Sequence, residues 1–289
     1  MADADLRPMS LGEVLDRTFK IYRNHFWLFA GISALPSGVM LIIHVANSAW
    51  TTSHTSRVRM PGQFPGVTPT ALFTGAVVAM VFMLIYFVLL GYAQAASVFA
   101  VSDLYLGGTA GLRASYRRVG TKALRVLLIF ILLGLVVGVG FVLLIIPGII
   151  LGIFLGCRAT LAVPISMLEN TNPVRSIERS IQLTKGHGLE IFVILLMVVV
   201  LNYVVILLLQ APFLYLAIVA AKAQQVLPFF TQVLMSLASF LSGVLVGPIA
   251  TIALSLMYYN LRVRKEAFDI QHQLSTMSAN PTLGTPSAV

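Results

Sequence analysis

Residues 126–157 read VLLIFILLGLVVGVGFVLLIIPGIILGIFLGC, a continuous apolar stretch that carries no Asp, Glu, Lys or Arg. It is too long for one membrane crossing, which takes about 20 residues at 1.5 Å each. Pro147-Gly148 divides it, and Pro and Gly are the residue types at which a chain reverses. With its flanks the stretch predicts a tight hairpin of two spans, over 124–146 and 148–168. Main-chain polar groups in hydrocarbon must find partners within their own segment, so each span is a helix.

Outward from this hairpin, four further apolar runs cover 26–46, 72–100, 190–211 and 229–257, and none contains an acidic residue beyond Glu190 at the edge of its run. The expectation is an all-α integral membrane protein with six transmembrane helices, in one domain over 1–270. Composition points the same way. The 289 residues are 58% hydrophobic and 10% charged, with a mean hydropathy of +0.93, leaving too few ionisable groups to coat a soluble globule. The segment 271–289 is rich in Ser, Thr and Pro and is expected to be a disordered tail. Residues 51–70, with Pro61, Gly62, Pro65, Gly66 and Pro69, should form an irregular loop.

Charge orients the threading. Fifteen of the nineteen Lys and Arg residues fall on one side of the six spans, and so do all ten Asp and Glu. Lys and Arg near helix ends are retained in the cytoplasm, so both termini are expected there, with residue 57 and Lys222 on the far side. Trp27 and Trp50 flank the first span about 34 Å apart and read as interface anchors. The net charge of +9 is spread over the ends of apolar runs rather than gathered on one soluble module, which argues against nucleic acid as a partner. One cysteine, Cys157, excludes an internal disulfide framework.

A repeat precedes the odd-numbered spans. Ser10 and Trp27, Thr109 and Val126, and Asn172 and Leu189 each stand 17 positions apart across amphipathic sequence. Ser, Thr and Asn are favoured helix N-caps, Ser10-Leu11-Gly12-Glu13 has capping-box spacing, and Pro173 suits a first helical position. The stripes expected to face inward are Leu11, Val14, Leu15, Thr18, Phe19 and Tyr22 in the first copy, Leu112, Tyr116 and Val119 in the second, and Val174, Ile177, Ser180 and Ile181 in the third. Three units, each an interfacial helix followed by a transmembrane hairpin, account for this. Arg113, Arg117, Arg118 and Lys122 of the second copy are expected to lie on anionic phospholipid of the cytoplasmic leaflet.

Small residues recur every four positions at Gly148, Gly152 and Gly156, and again at Ser239, Gly243 and Gly247. Such seams let helix backbones approach closely, so spans four and six are expected at the centre, the latter kinked at Pro248. Arg158 lies about 15 Å into span four, where an arginine costs about 2.5–3.5 kcal/mol to insert, so it should face the bundle and find partners. Asn202, Gln210 and Gln94 are neutral candidates, and Glu169 and Asp103 are acidic ones nearer the cytoplasm. Asn202 and Gln210 share one helix face and suit interhelical hydrogen bonds as well as a solute path.

Chemistry-bearing motifs are absent from the sequence. It has no HExxH pair, no Gly-x-Ser-x-Gly elbow and no phosphate-cradling glycine loop before a lysine. His25, His44 and His187 are too scattered to suggest a metal site, and no cofactor is expected.

The segments Leu6-Arg7-Pro8-Met9-Ser10-Leu11-Gly12-Glu13-Val14-Leu15-Asp16-Arg17 with Tyr22-Arg23, Arg158 through Pro164 to Glu169, Arg175-Ser176 with Ser180 and Leu183-Thr184-Lys185-Gly186, and Tyr258 through Glu266 occur in that order. In this order they resemble the glycerophosphoryl diester phosphodiesterase membrane domain family and its uncharacterised prokaryotic relatives, over about residues 6–270. The resemblance implies a membrane domain without the catalytic barrel, whose metal-binding residues have no counterpart here, and a prokaryotic cytoplasmic membrane as its location. The chain departs from the pattern at Gly188-Leu189, where an aromatic is more usual, and at Asn260, where an Asp often stands. The expected role is non-catalytic: organising lipid or a partner protein at the cytoplasmic leaflet. The alternative is transport of a small anionic molecule or lipid past a polar site near Arg158.

Overall fold

In a computed structural model of the chain, residues 7–55, 69–143, 152, 154–223 and 227–266 are described. The Pro147-Gly148 reversal, most of the 51–70 loop and the 271–289 tail lie outside them. Most of the described residues are helical, and none is in a strand. The helices are α1 (Leu11–Asn24), α2 (Phe26–Thr55), α3 (Pro69–Tyr105), α4 (Leu112–Val119), α5 (Ala123–Leu143), α6 (Ala162–Leu168), α7 (Pro173–Leu183), α8 (Gly188–Lys222) and α9 (Phe229–Glu266).

Four of these, α2, α3, α8 and α9, are long and apolar enough to cross a membrane, while Leu124–Leu135 and Phe154–Leu168 are shorter apolar helices. The long helices overrun their apolar runs by several residues at one or both ends, because their flanks continue the same hydrogen-bond ladder. Pro36 and Pro248 lie inside α2 and α9.

Helix α9 is the hub, packing along α2 and α8 and reaching α1 and α3. Its contact with α2 is close because Gly243 and Gly247 face Ser37 and Ser33. A Cβ on Gly243 would stand 2.6 Å from the Ser37 Oγ, and one on Gly247 3.5 Å from the Ser33 Oγ. Gly156 instead faces open space, and Gly152 is half-buried. Gly148 lies outside the described residues.

Burial is concentrated at one end of the molecule. Residues 95–102 of α3 and 255–261 of α9 are almost wholly buried with Phe29 and Ile32 of α2, whereas Phe73, Met80, Phe82 and Leu84 near the other end of α3 are exposed. The buried end is also where α1, α4 and α7 pack, closing over the ends of the long helices. Trp27 stands there at 84% exposure, an aromatic ring without cover at the rim.

The three amphipathic helices form, with differences from expectation. Helix α1 opens on a complete capping box: the Ser10 Oγ accepts from the Glu13 N–H and the Ser10 N–H donates to the Glu13 carboxylate. Those hydrogen bonds, and Arg7 beside them, hold the Glu13 carboxyl below the usual carboxylate range. Helix α7 starts at Pro173 after Asn172, although the Asn172 side chain makes no capping bond. Thr109 is not a cap. The end of α3 turns through Gly107 at φ +81° and the Gly108 N–H bonds back to the Asp103 carbonyl, so α4 begins only at Leu112 after Gly111.

The inward faces also differ. In α7, Ser176, Ser180 and Leu183 are buried while Val174 is 56% exposed, so the helix is rotated to turn hydroxyls inward. In α4, Ser115 and Val119 are buried and Leu112 is largely exposed.

Candidate functional site

The buried end carries a closed polar circuit that joins three elements. Glu169, just after α6, pairs with Arg179 of α7. Arg179 pairs with Glu266 of α9 at 3.0 Å, and Glu266 pairs with Arg262 at 3.1 Å, one helical turn back. The Arg262 guanidinium donates to the Tyr258 hydroxyl at 3.1 Å, and that hydroxyl donates to Glu169 at 3.0 Å. Each acid is thus held by more than one donor, as partly buried charges require.

Adjacent side chains of α9 finish the clasp. Lys265 donates to the main-chain carbonyls of Leu183 at 2.8 Å and Lys185 at 2.6 Å, placing a cation on the carbonyl end of α7. Arg264 reaches Glu190 at 3.3 Å and the Met9 carbonyl at 2.6 Å. Asn260 accepts from the Met9 N–H at 2.8 Å and donates to the Met9 carbonyl at 2.9 Å, fastening the segment ahead of α1 to α9.

Each amphipathic helix also gives a hydroxyl to a main-chain carbonyl of an apolar helix. The Tyr116 hydroxyl of α4 donates to the Ile32 carbonyl at 2.7 Å. That is the carbonyl Pro36, which has no N–H, leaves without its α-helical donor. Burial pushes the Tyr116 phenol up to about 12, so it stays a neutral donor. Tyr22 of α1 donates to the Leu245 carbonyl at 2.8 Å, three residues before Pro248. Ser180 of α7 at 2.7 Å and Thr184, its C-cap, at 3.3 Å donate to the Arg158 carbonyl, next to the break in the helix at 160–161.

The basic residues of α4 divide into two kinds. Arg118 is fixed by both Asp103 oxygens, at 2.6 and 2.8 Å, with its guanidinium over the Phe99 ring, and Lys122 stands 5.5 Å from the same ring. These two are turned onto the protein. Arg113 and Arg117, one helical turn apart, are exposed and make no ion pair among the described residues.

The residues expected near a midplane site are not gathered. Glu169 belongs to the circuit, Gln210 donates to the Ser239 hydroxyl at 2.8 Å, and Asn202 is half-buried on the same helix. Arg158 is half-buried with its guanidinium 4.4 Å from the Phe154 ring centre. A hollow of about 730 Å³ lies between α1 and the end of α3, lined by Arg17, Lys20, Asp16, Glu13, Asn24 and Tyr105 among others. Among the described residues no three His, Cys, Asp or Glu side chains gather as a metal site.

The circuit and the hydroxyl contacts escape sequence reasoning. The only hint is the clustering of Tyr, Arg and Lys in 258–266 and of Ser and Thr in 176–184, which gives no pairing. No protein-family model, curated protein or solved structure matches the chain.

Proposed function

We propose that this protein is a non-catalytic, multi-pass component of a prokaryotic cytoplasmic membrane whose amphipathic helices lie along the anionic leaflet and hold phospholipid there. The observation that supports it is the exposed pair Arg113 and Arg117 on a helix whose Ser115 and Val119 face the bundle. Their neighbours Arg118 and Lys122 are engaged by the protein, so these two cations are left to meet another charge. A juxtamembrane cation contributes about 1 kcal/mol toward an anionic leaflet. In this reading all six apolar segments cross the membrane as three units of interfacial helix plus hairpin, with both termini cytoplasmic. Its assignment to the glycerophosphoryl diester phosphodiesterase membrane domain family rests on the ordered motifs quoted above.

The test is the lipid that accompanies the purified full-length protein. The double variant Arg113→Gln, Arg117→Gln should carry several-fold less anionic phospholipid than the unaltered protein while unfolding at the same denaturant concentration. Unchanged lipid would overturn the proposal.

A further inference from the structure

We infer that Arg158 is the phosphate-binding residue of a discrete phospholipid site on the membrane side of α7. The inference rests on the lipid-contacting reading above and names the place and the chemical group.

Of the half-buried arginines at the buried end, only Arg158 and Arg17 reach no side-chain oxygen of a described residue, and Arg17 has the Met9 sulfur at 4.0 Å beside the Tyr105 ring. Arg118, Arg125, Arg179, Arg262 and Arg264 each reach a side-chain oxygen acceptor of the protein. Arg113 and Arg117 reach water freely. The Arg158 guanidinium is half-buried and has no hydrogen-bond acceptor among the described residues, only the face of Phe154.

Its depth is fixed by its own main chain. The Arg158 carbonyl is held by Ser180 of α7 and its C-cap Thr184, and α7 is in turn fastened to α9 through Arg179 and Lys265. From that anchored position the side chain runs back one turn toward Phe154, as helical side chains do, which carries the cation about 5 Å to the apolar side of the amphipathic helix. Phe154 itself is 52% exposed, and Cys157 and Ala159 on either side of Arg158 are buried. The guanidinium therefore looks outward along an exposed aromatic ring, about one helical turn to the apolar side of α7.

A guanidinium at that depth is costly without an anion, and its fork of donors matches two oxygens of a phosphodiester. A glycerophospholipid supplies the phosphate at that level and an acyl chain to cover Phe154. A free phosphate supplies the same oxygens but nothing for the ring.

The experiment uses the full-length protein, delipidated in detergent and titrated with phosphatidylglycerol, with diacylglycerol or with inorganic phosphate, bound lipid being read by native mass spectrometry. Loss of one charge-assisted pair predicts that Arg158→Gln binds phosphatidylglycerol about tenfold more weakly than the unaltered protein. Arg158→Lys should fall in between, because it keeps the charge but not the fork. Equal phosphatidylglycerol retention in Arg158→Gln would overturn the site, and so would inorganic phosphate displacing the lipid at equal concentration. Should Arg158→Gln not fold, the unaltered protein decides: phosphatidylglycerol, but not diacylglycerol, should protect Arg158 from phenylglyoxal, and absence of that difference would overturn the site. Retention kept in Arg158→Gln but lost in the Arg113, Arg117 double variant would sink this site and leave the leaflet reading standing.

Discussion

Asn260 shows how much one amide can decide. It is fully buried and satisfies both the N–H and the carbonyl of Met9, a task that needs a donor and an acceptor on the same side chain. An aspartate would offer acceptors only and would set a charge against the Met9 carbonyl. Asn260→Asp should therefore lower stability by about 1–3 kcal/mol, read from chemical unfolding of the protein in mixed micelles. An unchanged unfolding midpoint would mean that the Met9 contact is dispensable. Tyr116 makes a parallel case. Removing its hydroxyl in Tyr116→Phe leaves the Ile32 carbonyl without a donor beside the Pro36 break, where water is excluded. The expected cost is again about 1–3 kcal/mol, with faster hydrogen exchange confined to α2 around residue 36. Neither contact was legible in the sequence, since Pro36 and Tyr116 are 80 positions apart and nothing in either neighbourhood names the other.

Helices were easier to foresee than the faces they turn inward. The capping box at Ser10 and the start at Pro173 follow from local chemistry, which sequence displays directly. The rotation of α7 does not, because in a membrane protein an apolar residue such as Val174 can face lipid while Ser180 faces the protein to satisfy a broken helix. Periodicity then marks two apolar solvents without telling them apart. Small-residue spacing is ambiguous for the same reason: Gly243 lies against Ser37, whereas Gly156 has nothing near it. The difference yields a prediction about the α2 and α9 pair. Gly243→Ala would place a methyl 2.6 Å from the Ser37 Oγ and should cost about 1–2 kcal/mol, while Gly156→Ala should cost nothing measurable. Adding Ser37→Ala to Gly243→Ala removes the obstructing oxygen and should recover most of the loss. A penalty that persists in the double variant would place the constraint elsewhere on the backbone.

Across the whole molecule, the uneven distribution of burial is the organising fact. Hydrocarbon offers no drive to pack apolar helices against each other, so α3 and α8 leave much of their length uncovered. Tight packing is instead confined to the end where ion pairs, hydroxyls and the three amphipathic helices converge, and where polar contacts replace the missing hydrophobic drive. That end was visible in the sequence as the side with most of the charge, because charge and apolar length are sums over many residues. The pairing inside it was not, being a property of side-chain geometry. The same asymmetry fixes a testable orientation. Helix α8 leaves the charged end at Gly188 and runs 35 residues, about 52 Å, to Lys222, which is exposed at its far end, whereas Arg117 is exposed at the charged end. In a Cys157→Ser background, an impermeant maleimide applied to intact cells should label Lys222→Cys at once and Arg117→Cys only after the membrane is opened. Labelling of both from outside would place the two ends in one compartment, and α8 would then not cross the membrane at all.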